Sequence, residues 1–269
     1  MRNIMFYSIK GGTGRTTILA NLSYRLFRIG YSVGVIDLDI YSSGLSLFFN
    51  VPEDALTIQD FLENNDIELD EFINNYFRDI SGNFNLNQNL RGRFYLLPSK
   101  NRIFEAGPNI SYYRLIELIN HINGRFRDNL DFLFYDLPGG LFSLPLNLMN
   151  IINGDTFLFY KNNKQNYYSL IYLLEYIYEN GNRIFNPNNK FFLIINNSIN
   201  LNDENYRILS EYMRKLYLRN FSLNINESIF IIPEIESLNS NSHLLNENEA
   251  NQFENFKNRF IEVMRRDLR

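Results

Sequence analysis

Ten consecutive residues, Ser8-Ile9-Lys10-Gly11-Gly12-Thr13-Gly14-Arg15-Thr16-Thr17, bring together glycines, cations and hydroxyls, the residue types that bind phosphate. They follow an apolar run, Ile4 to Tyr7, and open a helical pattern that extends from about Thr16 to Ile29. A glycine-rich turn between a buried strand and a helix converges its backbone N–H groups on one point. The helix N-terminus adds about half a positive charge there. The widespread phosphate-loop pattern G-x-x-x-x-G-K-[ST] is not met strictly, because its first glycine is Ile9 here and its lysine is Arg15. In its place the chain carries an additional cation, Lys10, ahead of the glycines. Carboxylates end two further apolar runs, Val35-Ile36-Asp37-Leu38-Asp39 and Phe134-Tyr135-Asp136-Leu137-Pro138-Gly139-Gly140. An aspartate at the end of a buried strand costs free energy unless a cation or hydrogen bonds compensate it. Such aspartates in a chain with a phosphate loop fit a magnesium–nucleotide site. There a threonine hydroxyl and a carboxylate hold the ion, often through water, because Mg2+ dehydrates reluctantly.

The elements that must position these residues alternate between short apolar runs and longer helical patterns. This predicts an α/β fold with a single doubly wound, mostly parallel sheet and helices on both faces. Strands are expected at Ile4–Ser8, Ser32–Asp37, Phe94–Leu97, Phe132–Asp136, Thr156–Tyr160, Phe191–Ile195 and Ser228–Ile232. Helices are expected near Thr16–Ile29, Tyr112–Ile122, Tyr167–Tyr178, Glu204–Leu218 and Ala250–Leu268, with Gly30 closing the first as a C′ glycine. The stretch from Val51 to Asn89 is less regular, with short helices around Ile58–Leu62 and Glu68–Phe77 before a polar loop. With no internal repeat and no linker rich in Pro, Gly or Ser, one domain over residues 1–269 is expected. In an open parallel sheet, ligands bind beyond the carboxyl ends of the strands, so the chemistry is expected just after each one.

Composition narrows the classes. The 269 residues are 45% hydrophobic and include 24 Phe and 18 Tyr, ample for a large core. With 26 Lys+Arg against 30 Asp+Glu the net charge is -4, so the whole chain is no polyanion sponge. The absence of cysteine excludes disulfides, thiolate metal sites and cysteine-held iron–sulfur clusters. The two histidines, His121 and His243, lack metal-ligand spacing. An immediate entry into a strand leaves no room for a signal peptide, and no charge-free apolar run reaches about 20 residues. A cytoplasmic protein is therefore expected.

K-G-G-x-G-[KR]-T-T, then an apolar pair with D-x-D, then an apolar pair with D-x-P-x-G resembles the deviant Walker A ATPases of the ParA/MinD group. That P-loop NTPase group positions plasmids, chromosomes, division sites and other cargo. The resemblance runs from residue 3 to about 265 and carries ATP and Mg2+ as the implied ligands. It implies that Gly11, Gly12, Thr13 and Gly14 form the phosphate cradle with Arg15, that Thr16 binds Mg2+ and that Thr17 touches the α-phosphate. Lys10 matches the signature lysine that crosses a sandwich homodimer to the partner's nucleotide. Asp39 matches the aspartate that positions or activates the attacking water. Asp37 and Asp136 are implied near the magnesium and its water shell, and Gly140 at the γ-phosphate. Asn196 and the segment at Pro233 are implied at the adenine.

Three departures shape the expected function. Arg15 keeps the charge of the usual lysine but is longer and planar, which predicts ATP binding with slow hydrolysis. After D-x-D the chain reads Ile40-Tyr41, not Pro-Gln. Its Ser43-Gly44-Leu45-Ser46 resembles a branch reading D-x-D-x-x-x-x-G-L-S, with which Gln165-Asn166 is compatible. At the C-terminus, Phe253, Phe256, Phe260 and Met264 recur at helical spacing beside Arg265, Arg266 and Arg269. This stripe is read as core packing in preference to a membrane-surface helix. The cluster Arg207, Arg214, Lys215 and Arg219 is read as a solvated helix face in preference to a DNA site, the alternative being half of a non-specific DNA surface in a dimer. The expected protein is thus an ATP-dependent dimerising ATPase in DNA partition or intracellular positioning, with an activating partner protein. The alternatives are a nucleotide-responsive scaffold that hardly hydrolyses ATP, or a membrane-associated positioning protein.

Overall fold

The computed structural model describes residues 1–40, 42, 44–84, 91–100, 111–140, 143–186, 188–196, 203–233, 235, 244–245 and 247–266. Eight strands follow the order β3-β4-β2-β5-β1-β6-β7-β8. They are β1 (Arg2–Tyr7), β2 (Val33–Asp37), β3 (Arg78–Asp79), β4 (Phe94–Leu97), β5 (Phe132–Asp136), β6 (Asp155–Lys161), β7 (Phe191–Asn196) and β8 (Ile229–Ile232). The helices are α1 (Arg15–Arg28), α2 (Gly44–Phe48), α3 (Ile58–Glu63), α4 (Leu69–Tyr76), α5 (Tyr112–Arg125), α6 (Ser143–Ile152), α7 (Lys164–Ile184), α8 (Asp203–Leu218), α9 (Ile225–Ser228) and α10 (Glu247–Arg266). All seven expected strands form within three residues of their expected ends.

The chain forms two compact units. The first holds Met1–Ile4, Leu19–Pro138 and Ser242–Leu244. In it β4 and β5 pair in parallel with β2, and every residue of β2 and β5 is buried. Continuous apolar runs suit such strands because both faces are covered. Gly34 in β2 is needed for packing: a Cβ there would lie 2.7 Å from Leu133 and 2.9 Å from Phe77. The structure adds β3, a two-residue antiparallel edge strand whose exposed Arg78 and Asp79 pair with Leu96 and Tyr95. Two residues are too few to show a period, and charge on an edge discourages further strand pairing.

The second unit holds Met5–Ile18, Gly139–Asn241 and Leu245–Arg269. Here β6, β7 and β8 run parallel, and Phe157 stacks on Phe192 with ring centroids 4.6 Å apart. Phe157 also meets Phe230 and Phe260, so α10 packs its aromatic stripe onto these strands. Phe253, Phe256, Phe260 and Met264 are all buried, which bears out the packing reading of the C-terminal stripe. Helix α6 has no counterpart in the sequence reading. Its Pro145 falls in the first turn, where a missing N–H costs nothing, yet a proline in a short apolar run reads as a break.

Candidate nucleotide-binding site

The phosphate loop belongs to the second unit. Ser8 to Gly14 link β1 to α1, and Gly12 and Gly14 take φ values of 71° and 82° that side-chain-bearing residues rarely adopt. The first helical hydrogen bond runs from Ile18 N–H to Gly14 O at 2.9 Å. Helix α1 carries no acid in its first turn and has Arg25 and Arg28 in its last. No carboxylate of the first turn competes there with an external anion, and the basic residues of the last turn suit the negative end of the helix. Gly11 and Gly12 are exposed, and a Cβ on either would meet nothing within 4 Å. The open space over these glycines is what a phosphate group requires, and the loop fits a nucleotide on that ground.

Several long-range contacts fix the loop. Buried Asn196, the last residue of β7, donates from Nδ2 to the Thr13 carbonyl at 2.8 Å, and a Cβ on Gly14 would collide with that same amide. The adenine contact implied for Asn196 therefore meets a side chain already holding the loop. Pro233, implied beside it, is exposed just past β8. Arg15 is buried and donates from Nη1 to Ser8 Oγ at 3.4 Å, with the Gly139 backbone alongside. Gly140, at φ 110°, donates its N–H to Ser8 O at 3.3 Å and accepts from the Tyr7 hydroxyl at 2.7 Å. Burial pushes the Tyr7 phenol far above its ordinary pKa, partly offset by Arg15, so Tyr7 stays a donor. Sequence reasoning missed Tyr7, whose only signal was a polar tip on a buried strand. Thr16 and Thr17 sit half-buried in the first turn of α1. Lys10 is half-buried and lines a small cavity with Tyr7, Thr13 and Asn166.

The strand-end carboxylates belong to the first unit. Asp37 and Asp136 end adjacent parallel strands in the same register, so two carboxylates leave the sheet side by side. Both are fully buried, and Asp39 is nearly so. Asp37 Oδ1 accepts from Asp39 N–H at 3.1 Å, and Leu38 N–H donates to Asp136 O at 2.9 Å. Burial, and then the neighbouring Asp136, hold the Asp37 carboxyl well above its ordinary pKa. Asp37 Oδ2 is buried without a hydrogen-bond partner. An orphaned carboxylate oxygen beside a second buried carboxylate fits a bound divalent cation, which would compensate both charges. Among the described residues no group of three or more His, Cys, Asp or Glu is arranged to hold a metal, so hydroxyl, phosphate or water oxygens must complete the shell.

The turn after Asp39 is clamped by Gln59, a residue sequence reasoning did not mark. Fully buried in α3, it donates from Nε2 to Ile40 O at 3.0 Å and Lys100 O at 2.8 Å, while its Oε1 accepts from Lys100 N–H at 3.1 Å. Of the segment matched to the D-x-D-x-x-x-x-G-L-S branch, Tyr41 and Ser43 lie outside the described residues. Among the described residues no helix is long and apolar enough to cross a membrane.

An iron-sulfur cluster carrier protein of Aquifex aeolicus is 28% identical over 140 residues, 52% of this chain and 33% of that protein. The chain thus matches about a third of that curated relative's length. Among solved structures, Cyanothece apo McdA superposes with a TM-score of 0.68 at 17% identity, covering 98% of this chain and 99% of that one. The septum site-determining protein MinD of Pyrococcus horikoshii, complexed with Mg-ADP, gives a TM-score of 0.59 at 20% identity, covering 97% and 93%. These likenesses establish the fold. The model of the CobQ/CobB/MinD/ParA nucleotide binding domain matches residues 4–269, and the chain belongs to that family.

Proposed function

We propose that the chain is a Mg2+-dependent ATPase that dimerises on ATP and releases on hydrolysis, in the partition of DNA or the positioning of cellular cargo. The observation that carries this reading is Lys10 ahead of Gly11-Gly12-Thr13-Gly14, on a loop whose glycines open onto free space at the N-terminus of α1. In this reading the backbone N–H groups of Gly11 to Gly14, with Arg15, hold the phosphates, and Thr17 touches the α-phosphate. Thr16, Asp37 and Asp136 would hold Mg2+ and its waters, which would supply charge neutralisation at the phosphates. Asp39 orients the attacking water, and Lys10 crosses to the partner subunit's nucleotide. Gly140 reads the γ-phosphate, for which its N–H must leave Ser8 O. Asn196 and Pro233 border the base.

The relative's iron–sulfur activity is not proposed, since these 269 residues contain no cysteine. A second reading, a scaffold that binds ATP and scarcely cleaves it, is favoured by the buried placement of Arg15 against Ser8. An activating partner would raise turnover in either case. DNA would be met by exposed Arg207 and Arg214, since Lys215 pairs with Glu211 and Arg219 stacks on Tyr178. A cytoplasmic setting is proposed with this role.

Gel filtration with ATP, ADP and a non-hydrolysable analogue tests the dimer. The expected result is a doubling of apparent mass with ATP or the analogue, lost in Lys10→Ala while nucleotide affinity stays within a few-fold. A monomer under all nucleotides rules out the dimerising cycle.

A further inference from the structure

We propose that Ser99 is a positioning residue for Asp37, its hydroxyl donating to the second carboxylate oxygen and so presenting that carboxylate to a divalent cation. The proposal rests on reading Asp37 and Asp136 as the cation-binding pair. The register places Ser99 there: Ile36 of β2 pairs with Leu97 of β4, so the chain leaving β4 through Pro98 runs beside Asp37. Proline contributes no N–H at that point, and the next donor along the chain is Ser99.

Two buried oxygens are left over in this corner. Ser99 Oγ and Asp37 Oδ2 are both shielded from solvent and lack a hydrogen-bond partner among the described residues. Ser99 is 1% exposed and Asp37 0%, so bulk water is kept from both. Buried polar atoms are nearly always paired, and two orphans that the strand register brings into one corner mark a bond that closes when the site is loaded.

The backbone under Ser99 is held tightly. Its carbonyl accepts from Ser46 Oγ at 2.7 Å, and Pro98 O accepts from Ile58 N–H at 3.0 Å. Gln59 bonds both main-chain groups of Lys100, and Lys100 Nζ pairs with Asp60 Oδ2 at 3.2 Å. The hydroxyl therefore has one torsion left, which swings it toward or away from Asp37. A cavity of about 400 Å3, lined by Ser42, Ser46, Leu47, Thr57, Ser99 and Lys100, leaves room for one added methyl group.

The test measures the affinity of the full chain for a fluorescent ADP analogue, in EDTA and with Mg2+. A hydrogen bond to a buried carboxylate is worth roughly one decade in an equilibrium constant. Ser99→Ala is expected to weaken binding about tenfold with Mg2+ and less than twofold in EDTA. Ser99→Thr, which keeps the hydroxyl, is expected to restore the wild-type Mg2+ response. Equal weakening with and without Mg2+, an unaltered Mg2+ response in Ser99→Ala, or failure of Ser99→Thr to rescue overturns the proposal. A wild-type chain that binds the analogue with no gain from Mg2+ overturns the cation reading itself, a different result from any of these.

Discussion

Arg15 decides how the phosphate loop differs from a lysine-bearing one. Its guanidinium is buried on Ser8 Oγ beside Gly139, a placement that a compact ammonium on a shorter stem would not share. Phosphoryl transfer depends on positioning and charge stabilisation, and a displacement of about 1 Å costs about 100-fold. Arg15→Lys is therefore expected to raise single-turnover ATP hydrolysis by about one to two decades with ATP affinity changed only a few-fold. Rapid-quench measurement decides it, and a faster wild type removes the misalignment argument. At this scale the sequence was informative where chemistry is strictly local. Positive φ at Gly12 and Gly14, and carboxylates at the ends of β2 and β5, follow from residue type and position in a run. Ser99 and Gln59 were silent, because a serine or glutamine carries no sign of what it will face.

At the scale of elements, β7 acts on the loop from 183 residues away through the Asn196–Thr13 hydrogen bond. Losing a buried hydrogen bond of this kind costs about 1 kcal/mol. Asn196→Ala is expected to loosen the loop and weaken nucleotide affinity about 5- to 10-fold, with a melting temperature lower by about 2–4 °C. Binding titrations and thermal melts read the two effects. Unaltered affinity in a folded variant contradicts the clamp. The strands were legible because buried parallel strands are continuous apolar runs. Helix α7 extends three residues earlier than expected, to Lys164, because Asn163 caps it by accepting from Asn166 N–H at 2.9 Å. In an asparagine-rich chain that cap has no contrast against its neighbours.

For the molecule as a whole, the C-terminal helix is the clearest choice between two uses of one pattern. Phe260 is fully buried against Phe157 at a centroid distance of 5.6 Å. Phe260→Ala is expected to cost about 3–5 kcal/mol, visible as an early denaturation midpoint, and to leave co-sedimentation with anionic liposomes as in wild type. A variant with unimpaired stability and reduced liposome binding contradicts core packing. Lys257 supports the same use: it is buried on α10 and paired with Glu254, where a membrane-surface helix would present it outward. By itself the sequence determined the β-loop-α phosphate motif, the ordered strand-end aspartates and the mostly parallel sheet, because each follows from backbone preference and burial within a short window. The tertiary structure alone decided that Asp37 and Asp136 share a register, that Asn196 grips Thr13, and that the aromatic stripe of α10 faces the core. These depend on contacts between residues far apart in the chain, and a residue's type states what it can bond without stating which distant partner the fold brings to it.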